Sequence, residues 1–222
     1  MDVIIMGPPG VGKGTQATDL AAYMGVPHIA TGDLFRDAAQ RGTLLGRKAQ
    51  GYMERGELVP DELTIALLLD RLKQRDAANG ALLDGFPRTV PQAQALDEAL
   101  AERGGRRVGL ALHLIAPREI LINRVAGRWL CRNCQTPYHE LHSPPKVAGM
   151  CDRCGGELYQ RPDDQRETFE RRLDVFLEQT EPVVAYYRGK GVLAEIDGEQ
   201  EIETVQRALR KAFDDVADGV QA

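Results

Sequence analysis

The chain has 222 residues, 43% of them hydrophobic and 27% charged, with a formal net charge of −5. That length suits one sizeable core with inserted segments, and no apolar run approaches the ~18 residues of a membrane span. The acidic balance argues against broad nucleic-acid binding by long-range attraction, and a chain that opens on a strand-like run with no signal-peptide pattern predicts a cytoplasmic location.

Residues 3–6 form the first predicted strand, and Gly7-Pro8-Pro9-Gly10-Val11-Gly12-Lys13-Gly14-Thr15 follows it directly. Glycines let a strand-to-helix turn aim several N–H groups inward. Lys13 and the positive end of the next helix add charge at the same spot, so the segment reads as a cradle for a nucleotide polyphosphate. The strict phosphate-loop pattern places Ser or Thr directly after the lysine; here Gly14 intervenes and the hydroxyl falls at Thr15. Further strands are predicted over 28–30, 81–83, 108–115 and 192–196, and helices over 15–24, 63–75, 91–103, 118–128, 164–189 and 201–217. Alternating strands and helices imply a parallel sheet covered on both faces, with ligands at the carboxyl ends of its strands.

Three further segments sharpen the site, one of them Arg161-Pro162-Asp163-Asp164-Gln165 at the start of the helix predicted over 164–189. Thr31-Gly32-Asp33-Leu34-Phe35-Arg36 follows the second strand, and Asp84-Gly85-Phe86-Pro87-Arg88-Thr89 follows the third, with Gln92 one turn on. An aspartate at a strand end beside a phosphate loop is placed to hold Mg²⁺, directly or through water. The basic residues are 22 Arg and only 6 Lys. Arg36, Arg88, Arg124, Arg128, Arg161 and Arg172 all lie where they could reach the rim, and an arginine fork suits phosphate.

Cys131-Arg132-Asn133-Cys134 and Cys151-Asp152-Arg153-Cys154 contain every cysteine in the chain. Two such knuckles at this spacing fit a closed, structural four-cysteine zinc site, and the Pro- and Gly-rich stretch between them has little apolar content of its own. His139 and His142 read as surface residues, Trp129 as packing at the base of this segment, His28 as a sheet residue, Tyr186-Tyr187 as core and 214–222 as a frayed helix end.

The phosphate loop, the TGDLFR, DGFPRT and RPDDQ segments and their order resemble the adenylate kinases over nearly the whole chain, and the cysteine segment resembles the long zinc-bearing lid of many bacterial members. The resemblance implies reversible transfer of the terminal phosphoryl of Mg·ATP to AMP, giving two ADP. It implies a P-loop core with a five-stranded parallel sheet (1–29, 60–126 and 165–222), a nucleoside-monophosphate-binding insertion (30–59) and a lid (127–164).

It also implies residue roles. Gly10, Val11, Gly12, Lys13, Gly14 and Thr15 would cradle ATP, with Arg124, Arg128, Pro137, Tyr138 and Gln200 on its phosphates and base. Thr31, Arg36, Glu57, Leu58, Val59, Gly85, Phe86, Pro87, Arg88, Gln92, Arg161 and Arg172 would hold AMP. Lys13, Arg88, Arg124, Arg128, Arg161 and Arg172 would meet the transferred phosphoryl, and Asp33 and Asp84 the Mg²⁺ water shell. Cys131, Cys134, Cys151 and Cys154 would hold Zn²⁺. The partners expected are ATP, AMP and ADP, acting on a monomer. Two other readings stay open: a sister kinase for UMP or CMP, and a zinc-ribbon protein using nucleotide as a switch.

Overall fold

The computed structural model describes residues 1–219. Its strands are β1 (Asp2–Met6), β2 (His28–Ala30), β3 (Leu82–Asp84), β4 (Val108–Ile115), β5 (Arg128–Cys131), β6 (Pro137–His139), β7 (Leu158–Tyr159) and β8 (Leu193–Asp197). Five of them form a parallel sheet in the order β2-β3-β1-β4-β8, as the alternating pattern predicts. The chain builds to one side of β1 first and then crosses to β4. The strand order therefore reverses between β1 and β4, the kind of crevice where parallel sheets bind ligands.

The helices are α1 (Lys13–Met24), α2 (Thr31–Gln40), α3 (Leu44–Glu54), α4 (Asp61–Leu72), α5 (Val90–Glu102), α6 (Arg118–Ala126), α7 (Arg166–Val175), α8 (Glu181–Gly189) and α9 (Ile202–Gly219). The sheet's near-continuous apolar strands divide two cores. Val3, Ile5, Leu112 and Leu114 pack with α1, α6, α7 and α9 residues such as Leu20, Val125, Phe169 and Leu209. Ile4, Leu83 and Ala111 pack on the other face with Leu68, Leu96 and the wholly buried Tyr187. Tyr186 stays half-exposed and donates to Asp97 over 2.8 Å.

Several predicted boundaries shift. The first helix begins two residues early, at Lys13, on a left-handed Gly12. The helix expected to reach residue 128 stops at Ala126; Gly127 ends it, and Arg128 instead opens β5. The single helix expected over 164–189 is broken: a 3₁₀ turn (Pro162–Asp164), then α7, a π-helical turn (Phe176–Thr180) and α8. Pro182 lacks an N–H and its ring crowds the preceding turn, so the helix widens there. α9 does not fray at residue 214, where Asp214 accepts a 3.0 Å hydrogen bond from the Tyr23 hydroxyl; residues 220–222 lie outside the described residues.

Two insertions stand on the carboxyl rim. Between β2 and α4, helices α2 and α3 pair closely enough that a Cβ on Gly46 would lie 2.2 Å from the Ala38 backbone. Phe35, Ala49 and Val59 form their small core. Between α6 and α7, β6-β5-β7 form an antiparallel sheet over a second small core of Cys131, Tyr138, Cys151 and Leu158, with Trp129 packed against it.

Candidate active site

The phosphate loop leaves the central strand and must turn at once. Gly7 has φ 142°, and a Cβ there would lie 2.4 Å from the Leu114 carbonyl of β4, so only glycine fits. The loop closes on Lys13, whose ammonium donates to the carbonyls of Gly7 at 2.6 Å and Pro8 at 2.9 Å. Burial pulls the Lys13 pKa down to about 7; Asp84 opposes the shift, while Arg88, Arg172 and Arg128 reinforce it. An ammonium so crowded by cations gains from an incoming polyphosphate.

Asp84 ends β3, opposite Ile5 of β1. Burial pushes its carboxyl up, but the His28 hydrogen bond and the charges of Lys13, His28 and Arg88 outweigh it and hold it below the usual carboxylate range. His28 is the sheet residue the sequence predicts, and its Nε2 also lies 3.4 Å from Asp84 Oδ2. Asp33, its expected partner at the metal, is half exposed on α2 and faces Arg36 and, at 3.7 Å, Arg161.

Gly85 makes room for Arg88. Its φ is 73°, and a Cβ there would lie 2.8 Å from the Arg88 guanidinium. Arg88 Nε and Thr31 Oγ1 both donate to the Gly85 carbonyl at 2.8 Å, which joins the two loops of the rim. Gln92 is buried: its amide oxygen accepts from the Arg88 N–H at 2.8 Å and its nitrogen donates to Asp61 at 2.7 Å. These bonds tie Gln92 into the turn that presents Arg88. Phe86 and Pro87 are buried beneath this turn.

The remaining arginines converge from the second insertion and α7. Arg128 grips the Asp164 carboxylate with two nitrogens, and Arg172 reaches Asp164 at 3.5 Å and Asp163 at 2.8 Å. Burial lowers the pKa of Arg172, and that of Arg161 falls to about 10 through burial and the neighbouring charges of Arg36 and Arg128, against Asp163 and Asp33. Asp163, pushed up by burial, ends below the usual range because Arg172, Arg161, Arg36 and Arg128 surround it. The sequence signal for Asp163 and Asp164 is two adjacent carboxylates two and three residues after Arg161; their contacts with Arg128 and Arg172 arise only in the fold.

A cavity of about 270 Å³ lies between the two insertions, lined by Phe35, Arg36 and Met53 on one side and Arg161 and Asp163 on the other. Arg171 pairs with Glu57 at 2.7 Å across the gap between α7 and the first insertion. Leu58 is half-buried and Val59 buried beside Glu57.

Two ATP-side residues take unexpected positions. Arg124 spends its fork on the carbonyls of Gly198 at 2.7 Å, Glu199 at 3.1 Å and Val11 at 3.4 Å. It ties the β8–α9 loop to the phosphate loop. Tyr138 is buried with its hydroxyl turned to Cys151 and the Asp152 N–H, not to the rim, whereas its neighbour Pro137 is exposed. Gln200 is exposed and donates to Asp197 at 2.7 Å.

The four cysteines are free thiols, and their sulphurs all lie within 4.8 Å of one another. A tetrahedral metal with sulphur ligands at about 2.3 Å needs sulphurs about 3.8 Å apart, so this donor set fits Zn²⁺. His139 stays outside the set; its Nδ1 accepts from the N–H groups of Leu141 and His142.

A glycine-rich loop on the central strand, a lysine in its mouth and a ring of arginines on the same rim define a P-loop nucleotide-binding protein of the phosphotransferase kind. The family model described as adenylate kinase matches residues 5–192. The curated adenylate kinase of Moorella thermoacetica is 51% identical over 96% of this chain and 98% of its own length. That of Carboxydothermus hydrogenoformans is 52% identical over 96% and 99%, and that of Archaeoglobus fulgidus 46% over 97% and 99%. The chain belongs to the adenylate kinase family and is a nucleoside monophosphate kinase. No helix among the described residues is long and apolar enough to cross a membrane.

Proposed function

We propose that the protein transfers the terminal phosphoryl group of Mg·ATP to AMP, reversibly, with the two nucleotides held on opposite sides of the arginine ring. The observation that carries this reading is the convergence of Lys13, Arg88, Arg128, Arg161 and Arg172 on one rim, from the core and the second insertion. ATP lies with its phosphates in the 10–15 loop and its base against the face of Arg124 and the backbone near Gln200 and Pro137. AMP lies in the first insertion, its phosphate on Arg36 and Arg88 and its base between Thr31, Gln92 and the 57–59 backbone. Gln92 retains one amide hydrogen and one oxygen lone pair beyond its present bonds, enough to read an adenine edge. Asp84 and Asp33 hold the water shell of Mg²⁺, which supplies charge neutralisation of the phosphates.

Transfer between two nucleotides needs positioning and cationic surroundings more than a general base. Arg88 and Lys13 align donor and acceptor phosphates, while Arg128, Arg161 and Arg172 exchange Asp163 and Asp164 for phosphate oxygens. Segments 30–59 and 127–164 work as two flaps that close over the core and exclude water, the competing acceptor. The four cysteines hold Zn²⁺ as a structural ion that stiffens the second flap. The protein works as a cytoplasmic monomer without nucleic-acid partners.

The test is transfer from Mg·ATP to AMP, UMP, CMP and GMP in parallel. Fast ADP formation with AMP alone supports the reading. A preference for UMP or CMP moves the acceptor, and ATP binding with no transfer to any of them assigns the motifs to a switch.

A further inference from the structure

The turn into β6 carries two hydroxyls aimed at sulphur. Thr136 Oγ1 lies 3.1 Å from Cys134 Sγ, and the Tyr138 hydroxyl donates to Cys151 Sγ at 3.4 Å. The Tyr138 hydroxyl is fixed from both sides, because it also accepts the Asp152 N–H at 2.7 Å. With its acceptor side taken, its hydrogen is left for Cys151. The ring is held as firmly: Tyr138 is buried and pairs with Trp129 across β5 and β6. The Thr136 carbonyl in turn accepts the Cys131 N–H at 3.1 Å, so the same short turn touches both ends of the first knuckle.

Four thiolates around one divalent cation carry an excess of negative charge. A hydrogen bond to a thiolate withdraws part of that charge and fixes the sulphur's direction, and partners of this kind govern how firmly a metal is held. We infer that Thr136 and Tyr138 are positioning residues of the cysteine site, which hold the Cys134 and Cys151 sulphurs in place and slow the loss of the metal. The inference rests on reading the four cysteines as a zinc site. It also assigns the Tyr138 side chain to the metal site, which leaves only the backbone of β6 for a nucleotide.

The experiment uses the full-length protein loaded with Zn²⁺ and challenged with excess chelator, with release followed by the chelator's colour. Tyr138→Phe and Thr136→Val are each expected to release zinc about 10-fold faster or more, while Thr136→Ser keeps the original rate. The metal-free melting of Tyr138→Phe is expected to match that of the metal-free parent. With Co²⁺ in place of Zn²⁺, the sulphur-to-metal charge-transfer band is expected to move to lower energy in both hydroxyl-deleted variants, since an unbonded thiolate gives up electron density more readily. Unchanged release rates with an unchanged band would overturn the inference. So would a metal-free Tyr138→Phe melt that falls as far as the zinc-loaded one, which would assign the hydroxyl to folding alone. A parent protein that takes up no zinc would overturn the metal reading itself, and its stoichiometry shows this before any variant is made.

Discussion

At the scale of single residues, the site is a balance of like charges awaiting an anion. Lys13 shows it most plainly. Its pKa of about 7 lies below the unfolded value of 10.5, so the folded state binds fewer protons between those limits. The ligand-free protein therefore gains stability as pH rises from about 7, and the cost of the buried ammonium is fully present below it. Bound phosphates return Lys13 to its charged form. Nucleotide binding at pH 8 is expected to take up a proton, measurable as a dependence of calorimetric heat on the buffer's ionisation enthalpy; Lys13→Met removes that uptake. Equal heats in all buffers for the parent protein would contradict it.

Arg88 makes a second residue-scale case. It is held by Gly85 and Gln92 and has no carboxylate among its hydrogen-bond partners, so its charge is available to substrate. Arg88→Ala is expected to lower kcat by about 10²–10³-fold, the range seen when a donor to transition-state charge is deleted. Arg210→Ala, which removes a guanidinium of α9 stacked 4.9 Å from the Tyr23 ring of α1, leaves transfer unchanged. Equal losses from the two would remove Arg88 from the site. Asp164 is the counterweight to these cations, buried and shared by Arg128 and Arg172. Asp164→Ala strands Arg128 and leaves Arg172 to Asp163 alone, and a loss of about 3 kcal/mol in urea unfolding is expected, much of it recovered when ADP supplies phosphate in its place. A variant as stable as the parent would show that the pair is solvated away.

Most of these residues were legible in the sequence because each sits in a contiguous motif at a strand end. The phosphate loop, Arg88 and the cysteine knuckles could be read from spacing alone. What could not be read is the partner each residue takes. Gln92 with Asp61, His28 with Asp84 and Arg128 with Asp164 are separated by 31, 56 and 36 positions, and no local pattern records such pairings. Tyr138 is the sharpest instance: its family position suggested a nucleotide, while its hydroxyl faces sulphur.

At the scale of elements, the five parallel strands were legible because they are apolar on both faces and punctuated by glycine. Helix α3 was not, although Thr43 caps it by accepting from the Gly46 N–H at 3.0 Å. Its apolar face is short and covers only a small core. The break between α7 and α8 turns on Pro182 within an otherwise helical pattern. The lid sheet was read as lacking a core, and its apolar centre is indeed small: it consists largely of the cysteines, Tyr138, Leu158 and Trp129. Metal is therefore expected to matter to this element more than to the rest. Stripping zinc should lower the melting midpoint, by about 2–4 °C per kcal/mol lost in a protein of this size, with recovery on adding zinc back. A metal-free protein with an unchanged calorimetric trace would contradict the structural role.

At the scale of the whole molecule, two insertions meet over one rim, joined by the Arg161–Asp33 ion pair and separated by a cavity lined from both sides, while Arg171–Glu57 ties α7 to the first insertion. Surface pairs of this kind contribute little each. The contact between the two insertions is therefore weakly held. A kinase of this kind is set apart by transfer between two nucleotides rather than hydrolysis or switching. Its most direct measurement is the stoichiometry of the reaction with separated nucleotides: ATP, AMP, ADP and inorganic phosphate followed together, from both directions. Two ADP are expected for each ATP and AMP consumed, with the reverse reaction from ADP alone and negligible phosphate without AMP. Phosphate released with AMP untouched would contradict it.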